Sequence, residues 1–438
     1  MPLVIVIGGI ILLLVLMLVF KLDAFLSFII VSVTVGLAEG MTLENAIISI
    51  EKGIGNTLGY LVIIIGFGAM LGKLVAESGA AQRITSRIIK AFGIKRVQLA
   101  VMLTGFIIGI PLFYDVGFVI IIPLVFTIAA STGLPLLYVG LPMLASLSVT
   151  HGYLPPHPAP TAILHTFGAD MGKTMMYGII IAIPAILLSG PVFYRFVKKV
   201  EASPKNEFVG MKEMSDNQMP GMFLSLISAL LPVILIGSVT IFKIFVKTET
   251  LAGKIIEFMG NPIIAMTVSL LFAIYFLGIA RGRKMKELVQ SMWQSVSSLT
   301  LVILVIGAAG GLKQVLVDSG VSNYIGGILS NTGVSPLILG WLIATILRIF
   351  LGSATVAGIT TAGIVFPIVQ GSGVVPELMV LAIGSGSLMI SHVNDGGFWL
   401  VKEYFNLSIK NTLQTWTVME TCIGVSGLLG VMLLDKFI

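Results

Sequence analysis

Apolar runs long enough to cross a lipid bilayer recur along the whole chain. The bilayer core is about 30 Å thick and requires roughly 20 apolar residues in a helix. Helices also satisfy their own backbone hydrogen bonds, which lipid cannot do. The composition agrees, because 57% of residues are hydrophobic and 11% are charged, against about 25% charged in soluble domains. We therefore expect an all-α polytopic membrane protein.

The first apolar run, Leu3 to Phe20, has no preceding basic segment and no small-residue cleavage site. It is predicted to be a retained transmembrane helix rather than a signal peptide. The formal net charge of +6 is concentrated in a few loops. Basic residues mark cytoplasmic loops of membrane proteins, so the charge favours a membrane and no nucleic-acid partner.

The sequence contains no obvious catalytic or cofactor-binding motif. Cys422 is the single cysteine, which makes neither a disulfide framework nor a metal site. Neither a phosphate-binding loop nor a nucleophile triad stands out. We expect a protein that is not an enzyme and has no cofactor or metal, with any transport driven by an ion gradient.

The chain also repeats itself. The segment GFGAMLGKLVAESGAAQRI, from Gly66, is similar to GAAGGLKQVLVDSGVSNYI, from Gly307, which lies 241 residues later. The same offset pairs Ser78 with Ser319, Pro135 with Pro376, Thr150 with Ser391, and His151 with His392. We predict two repeats, at 1–197 and 221–438.

Basic residues indicate that the two repeats are inverted relative to each other. The segment after Ser78 carries Arg83, Arg87, Lys90, Lys95 and Arg96. The matching segment, 321–337, carries no lysine or arginine. Because basic loops stay in the cytoplasm, the two segments are expected on opposite sides. The polar stretch 198–220 is then a cytoplasmic linker.

Each repeat is predicted to contain about five transmembrane helices, with one re-entrant hairpin and one broken helix. The first hairpin covers about 97–131 and the second about 337–371, since the helices of each pair are short for a span. Two ordinary crossings remain the alternative. The broken helices follow at about 136–168 and 376–406. Two amphipathic segments, 41–58 and 283–298, are expected to lie at the membrane interface.

Interrupted helices at matching positions of inverted repeats indicate a transporter's substrate site near the membrane midplane. Their N-termini direct free N–H groups and positive dipole ends at an anion. Nearby hydroxyl groups suit a polyhydroxylated or carboxylated solute. The expected substrate-binding residues are Thr150, His151, Arg348, Ser353, Thr355, Thr360, Ser391 and Asn394. For Arg348 the alternative is an ion pair with Asp115 or Asp395.

Ionisable residues inside apolar segments need a function, because burying their charge is costly. A carboxylate removed from water and a histidine can both exchange protons near neutral pH. The candidates for proton coupling are Asp115, Asp395, His151 and His392. Structural roles, with aspartates capping helices and histidines tying loops, are the alternative. His157 and His165 are expected nearer the surface.

Several segments resemble the gluconate permease family of gluconate:proton symporters. They include FYDVGF, SVTHGYLPPHPAPTA, LRIFLGSATVAGIT and SHVNDGGFWLVKEYFNL. The resemblance implies a proton-coupled importer of gluconate or a related sugar acid in the bacterial inner membrane. It also implies a homodimer and an elevator mechanism, as in the wider ion-transporter superfamily. Asp115 and Gly396 stand where the family pattern has Glu and Pro.

Other functions remain open at this point. The family includes carriers of idonate, fructuronate and D-serine, and a sodium-coupled carboxylate transporter is a related alternative. An intramembrane enzyme would chemically convert its substrate, and an anion channel would not concentrate it. Transport assays separate these classes.

Overall fold

The computed structural model describes residues 2–204, 214–245, 250–297, 299–320, 335–393 and 395–438. Within these ranges every regular element is a helix. The first half contains α1 (Pro2–Leu18), α2 (Ala24–Ala38), α3 (Leu43–Glu77), α4 (Ala80–Phe92), α5 (Val97–Gly109), α6 (Tyr114–Thr132), α7 (Leu136–Tyr153), α8 (Pro158–Phe167) and α9 (Met171–Val197). The second half contains α10 (Met222–Phe245), α11 (Leu251–Met259), α12 (Pro262–Arg281), α13 (Met285–Ser297), α14 (Thr300–Asp318), α15 (Pro336–Leu351), α16 (Ala354–Val369), α17 (Pro376–Gly386), α18 (Gly396–Tyr404) and α19 (Ile409–Leu434).

Six helices of the described chain are long and apolar enough to cross a membrane. They are α3, α9, α10, α12, α14 and α19. Large apolar side chains on several of them face outward, including Ile183 on α9 and Leu429 on α19. These observations confirm an all-helical polytopic fold of membrane type.

Helix bounds recur at the 241-residue offset found in the sequence. Shifting α5 by that offset gives 338–350, which falls within α15. The shifted α6 covers 355–373 and overlaps α16, and the shifted α9 covers 412–438 and overlaps α19. The segment that matches α4, 321–333, lies entirely outside the described residues.

The amphipathic segment 41–58 is not a separate interfacial helix, contrary to the expectation, because it continues into the following span as α3. Its glycines permit close packing rather than a break. A Cβ on Gly53 would collide with the Gly310 carbonyl of α14, and one on Gly310 would collide with Thr57 Oγ1. The segment 283–298 does form its own helix, α13.

The second predicted hairpin appears as a pair of short, apolar helices. Helices α15 and α16 have 16 residues each, which corresponds to about 24 Å and falls short of the bilayer core. They pack on each other and are joined at Gly352 and Ser353. In the first pair, α5 has 13 residues, whereas α6 has 19 residues and is long enough for a span.

Both predicted breaks are present at the expected places. Helix α7 ends at Tyr153 and α8 begins at Pro158, whereas α17 ends at Gly386 and α18 begins at Gly396. The two broken helices approach each other closely, since a Cβ on Gly384 would collide with the Gly152 carbonyl. The breaks therefore lie inside the protein rather than in external loops.

The C-terminal part of the linker is attached to the first half. The buried guanidinium of Arg83 donates to the carbonyls of Pro220 and Asp216, and it pairs with the Asp216 carboxylate at 3.0 Å. Gln82 bonds to both the N–H and the carbonyl of Met214. Residues 205–213 of the predicted linker lie outside the described range.

Candidate functional site

A cavity of about 600 Å³ lies where the two helix pairs meet the two breaks. Its lining includes the N-terminal ends of four helices, at Tyr114 of α6, Pro158 of α8, Ala354 of α16 and Gly396 of α18. The first N–H groups of a helix have no partner within it. Their convergence creates a site that favours an anion.

The N-terminus of α16 is the least obstructed of the four. Proline at position 158 supplies no N–H group to α8, while α6 and α18 each have an aspartate at the start. Helix α16 is capped by Ser353, whose hydroxyl accepts the Val356 N–H at 3.3 Å. Gly352 before it has φ +71°, a conformation that glycine adopts without strain.

Buried Arg348 and partly buried Asp395 form an ion pair at the cavity wall. Arg348 is 3% exposed, and its Nη2 lies 2.5 Å from Asp395 Oδ2. Within the described part of the chain, Arg348 Nε and Nη1 have no hydrogen-bond partner. Buried guanidinium donors usually have acceptors, so this residue retains capacity to bind an anion. The sequence left this pairing as one alternative for Arg348.

Asp395 and Ser391 belong to one hydrogen-bonded group that closes the second break. Asp395 Oδ1 accepts the Gly397 N–H at 3.1 Å, which caps α18, and Ser391 donates its hydroxyl to Asp395 Oδ2. Trp416 donates its indole N–H to Ser391 Oγ at 2.7 Å. Ser391 is thus buried behind Asp395 rather than among the residues lining the cavity.

Asp115 lines the cavity from the first helix pair. It occupies the first turn of α6 and is exposed to the cavity. Tyr114 beside it is buried, with its ring 5.4 Å from that of Trp416. This tilted ring contact joins the tip of the first pair to α19.

Two histidines perform equivalent tasks in the two halves. His157 Nε2 donates to the Gly109 carbonyl at 2.6 Å, and His392 Nε2 donates to the Ile349 carbonyl at 3.0 Å. Each bond ties a break to the end of a short helix. His157 is 2% exposed, so its predicted surface location was wrong. His151 does line the cavity.

Three other predicted residues lie apart from the cavity lining or outside the described residues. Thr150 is buried, and its hydroxyl donates to the carbonyls of Ser146 and Leu147. Thr360 is buried within α16. Asn394 lies outside the described residues. By contrast, Ser353 and Thr355 line the cavity as expected.

The cavity also contains residues that sequence reasoning missed. Glu420, Ser148 and Trp416 all line it. Glu420 stands in the apolar helix α19 and is 1% exposed. It is an ionisable residue in a predicted span, and that signal was sufficient to identify it. Trp416 lies in a π-helical turn, Leu413–Thr417, a distortion often found at functional sites.

Comparison with known protein families gives a match over nearly the whole chain. The family model described as GntP family permease matches residues 1–437. A high-affinity gluconate transporter of Escherichia coli (strain K12) is 50% identical, with all of both chains covered. The Gnt-II system L-idonate transporter of the same strain is 48% identical, and a gluconate permease of Bacillus subtilis (strain 168) is 46% identical. Each comparison covers 99% of both chains.

Solved structures support the fold. The YdaH transporter of Alcanivorax borkumensis superposes with a TM-score of 0.69 at 14% identity, covering 94% of this chain and 97% of that one. MtrF of Neisseria gonorrhoeae gives a TM-score of 0.60 at 14% identity, covering 94% and 93%. At this identity the likeness concerns the fold alone.

Proposed function

The chain belongs to the GntP permease family, and from that premise we propose that it is a proton-coupled importer of gluconate or a closely related sugar acid. Relatives named for gluconate and for L-idonate match the whole chain at similar identity. The substrate is therefore assigned as a class, the sugar acids. Fructuronate and D-serine are the further candidates.

The observation that carries this proposal is the convergence of Arg348 and the α16 N-terminus on one cavity of about 600 Å³. That volume lies within the range of small-molecule sites, about 300–1,000 Å³. A carboxylate placed there meets a guanidinium with two unpartnered nitrogens in the described structure. It also meets helix N–H groups, which bind anions without a formal charge.

The polyhydroxylated part of the substrate then extends along the rest of the cavity. Hydroxyl groups of Ser353, Thr355 and Ser148 and the imidazole of His151 provide hydrogen-bonding partners there. Ser391 and Thr150 act from behind, because their hydroxyl groups hold the second break and α7 in place. Thr360 lies buried in α16, and its hydroxyl has no partner among the described residues. Asn394 completes the proposed substrate-binding set, next to Asp395.

Proton coupling requires a titratable group that communicates with this site. Asp115, His151 and Asp395 line the cavity, and His392 binds the Ile349 carbonyl nearby. All four remain candidates by location. Asp115 is the more accessible of the two aspartates, and Asp395 forms an ion pair with Arg348.

We further propose two inverted repeats, 1–197 and 221–438, that form an elevator-type transporter. Recurrence of the helix bounds at the 241-residue offset supports the repeat. The short α15–α16 pair supports re-entry from one side. In this proposal two copies pair in the inner membrane, and the helix pairs and breaks slide against a scaffold built from the early spans of each half.

Uptake by the purified chain in proteoliposomes tests the function. With an acid-outside pH gradient we expect concentration of labelled gluconate, and competition by unlabelled idonate, fructuronate and D-serine ranks the substrates. Replacing external sodium by potassium at fixed pH should leave uptake unchanged. Dependence on sodium contradicts proton coupling. Equilibration without concentration indicates a channel, and recovery of altered substrate indicates an enzyme.

A further inference from the structure

Glu420 differs from the other two cavity carboxylates in its position along its helix. Asp115 lies in the first turn of α6, and Asp395 caps α18. Both therefore lie at helix N-termini, where the macrodipole stabilises negative charge. Glu420 is near the middle of α19 and gains no such stabilisation.

Burial also sets Glu420 apart from the other two carboxylates. Asp115 is exposed, the Asp395 side chain is 17% exposed, and Glu420 is 1% exposed. Ser148 lies beside Glu420, and Glu420 Oε1 has no hydrogen-bond partner among the described residues. Arg348, the guanidinium of this cavity, is bonded to Asp395 instead. An unpaired buried carboxylate takes up a proton rather than remain charged.

The ionisable groups around Glu420 come from several helices. Arg348 of α15 attracts its charged form, and Asp395 repels it. Tyr114 of α6 and Tyr153 of α7 also interact with it electrostatically. The neighbouring α9 and α17 meet α19 through Ile181 and Ser385, which carry no charge. The stability of ionised Glu420 therefore depends on how strongly Arg348 interacts with other anions, such as Asp395 or a bound substrate.

We propose that Glu420 carries the coupling proton and that Arg348 links its protonation to the substrate. This inference rests on the proposed function. A proton from outside adds to the Glu420 carboxylate, and the sugar-acid anion binds Arg348 and the α16 N-terminus. On the cytoplasmic side the anion leaves, and the proton dissociates from Glu420. One proton and one anion cross together, and no covalent bond to the substrate is made or broken.

The physical link is competition for positive charge. The substrate carboxylate adds a negative charge beside Asp395. It also binds the Arg348 guanidinium, which would otherwise stabilise ionised Glu420. Protonation of Glu420 removes the resulting repulsion. By thermodynamic reciprocity, the protonated form binds the anion more tightly by the same factor.

The Glu420→Gln variant separates gluconate translocation from proton coupling, because glutamine resembles the protonated acid. In proteoliposomes we expect it to exchange labelled for unlabelled gluconate without a gradient, and with little dependence on pH. Under an acid-outside gradient it should only equalise gluconate across the membrane. A pH dye inside the vesicles should then report no proton entry on addition of gluconate.

Two further variants make the result specific. Glu377→Gln is the matched control, since Glu377 is buried on α17, accepts the Asp170 N–H at 3.1 Å and lies outside the cavity lining. It should keep wild-type coupling. Glu420→Asp retains a titratable group and should still concentrate gluconate. If Glu420→Gln neither exchanges nor accumulates, a changed pH profile of exchange in Glu420→Asp supports the assignment, and an unchanged profile overturns it.

The contrary outcomes distinguish the two levels of the proposal. If the wild type does not concentrate a sugar acid on a pH gradient, the proposed function and the role of Glu420 both fail. If the wild type and Glu420→Gln concentrate gluconate equally, only the assignment of Glu420 fails. The coupling proton must then reside on Asp115, Asp395 or a histidine.

Discussion

In each half, the helix break contacts the end of the first helix of the pair, and we call this contact the junction. The two junctions are held together by different interactions. In each half a histidine holds the last turn of a short helix, through the Gly109 carbonyl in the first half and the Ile349 carbonyl in the second. The first junction is otherwise held by close packing, since a Cβ on Gly109 would collide with Thr150 Oγ1. The second contains the Arg348–Asp395 ion pair.

This difference indicates a division of labour between the halves. Close packing fixes a geometry and offers few groups for a ligand to bind. An ion pair with unused donors can exchange one acceptor for another when an anion arrives. We infer that the first junction mainly shapes the cavity and the second mainly binds the substrate, despite their matching positions in the sequence.

Breaking the ion pair should give the largest effect. Arg348→Gln removes the charge that receives the substrate and leaves the partly buried Asp395 without its cation. Loss of one partner of a buried, hydrogen-bonded charge pair costs about 2–5 kcal/mol, so we expect gluconate uptake to fall roughly 30-fold or more. Initial rates at several gluconate concentrations measure this loss.

A double-mutant cycle with Asp395→Asn is the control for that prediction. The double variant should lose stability by less than the sum of the two single variants, because neither charge is then left unpaired. Thermal unfolding of the detergent-solubilised protein measures this coupling. Strictly additive losses would contradict a direct ion pair.

The sequence predicted the class of fold and the location of the site better than the roles of individual residues. Apolar runs and the 241-residue offset located the helix pairs and both breaks. Thr150 and Ser391 were expected to bind substrate, but both hydroxyls are used within the protein. Hydrogen bonds of this kind depend on how separate helices pack, and no local pattern encodes that. Glu420 was missed because it stands away from any break.

Overfilling the first junction should have an intermediate effect. Gly109→Ala places a methyl group against Thr150 Oγ1, and such overpacking costs about 1–3 kcal/mol. We expect a lower unfolding temperature and slower uptake, with partial recovery in Gly109→Ala/Thr150→Ala. Gly59→Ala on α3 is the matched control, since a Cβ there has nothing within 4 Å. Equal losses at both glycines would show that the junction is not specially packed.

The two histidines should give the smallest effects on uptake, and these effects should differ in kind. His157→Phe leaves the buried Gly109 carbonyl without its donor, which costs about 1–3 kcal/mol. It should therefore lower the unfolding temperature while leaving the KM for gluconate near that of the wild type. His392→Phe frees the Ile349 carbonyl, one residue from Arg348, at a more exposed position. We expect a raised KM and little change in unfolding temperature. The reverse pattern, with KM responding to His157 and stability to His392, would contradict the proposed division between a shaping and a binding junction.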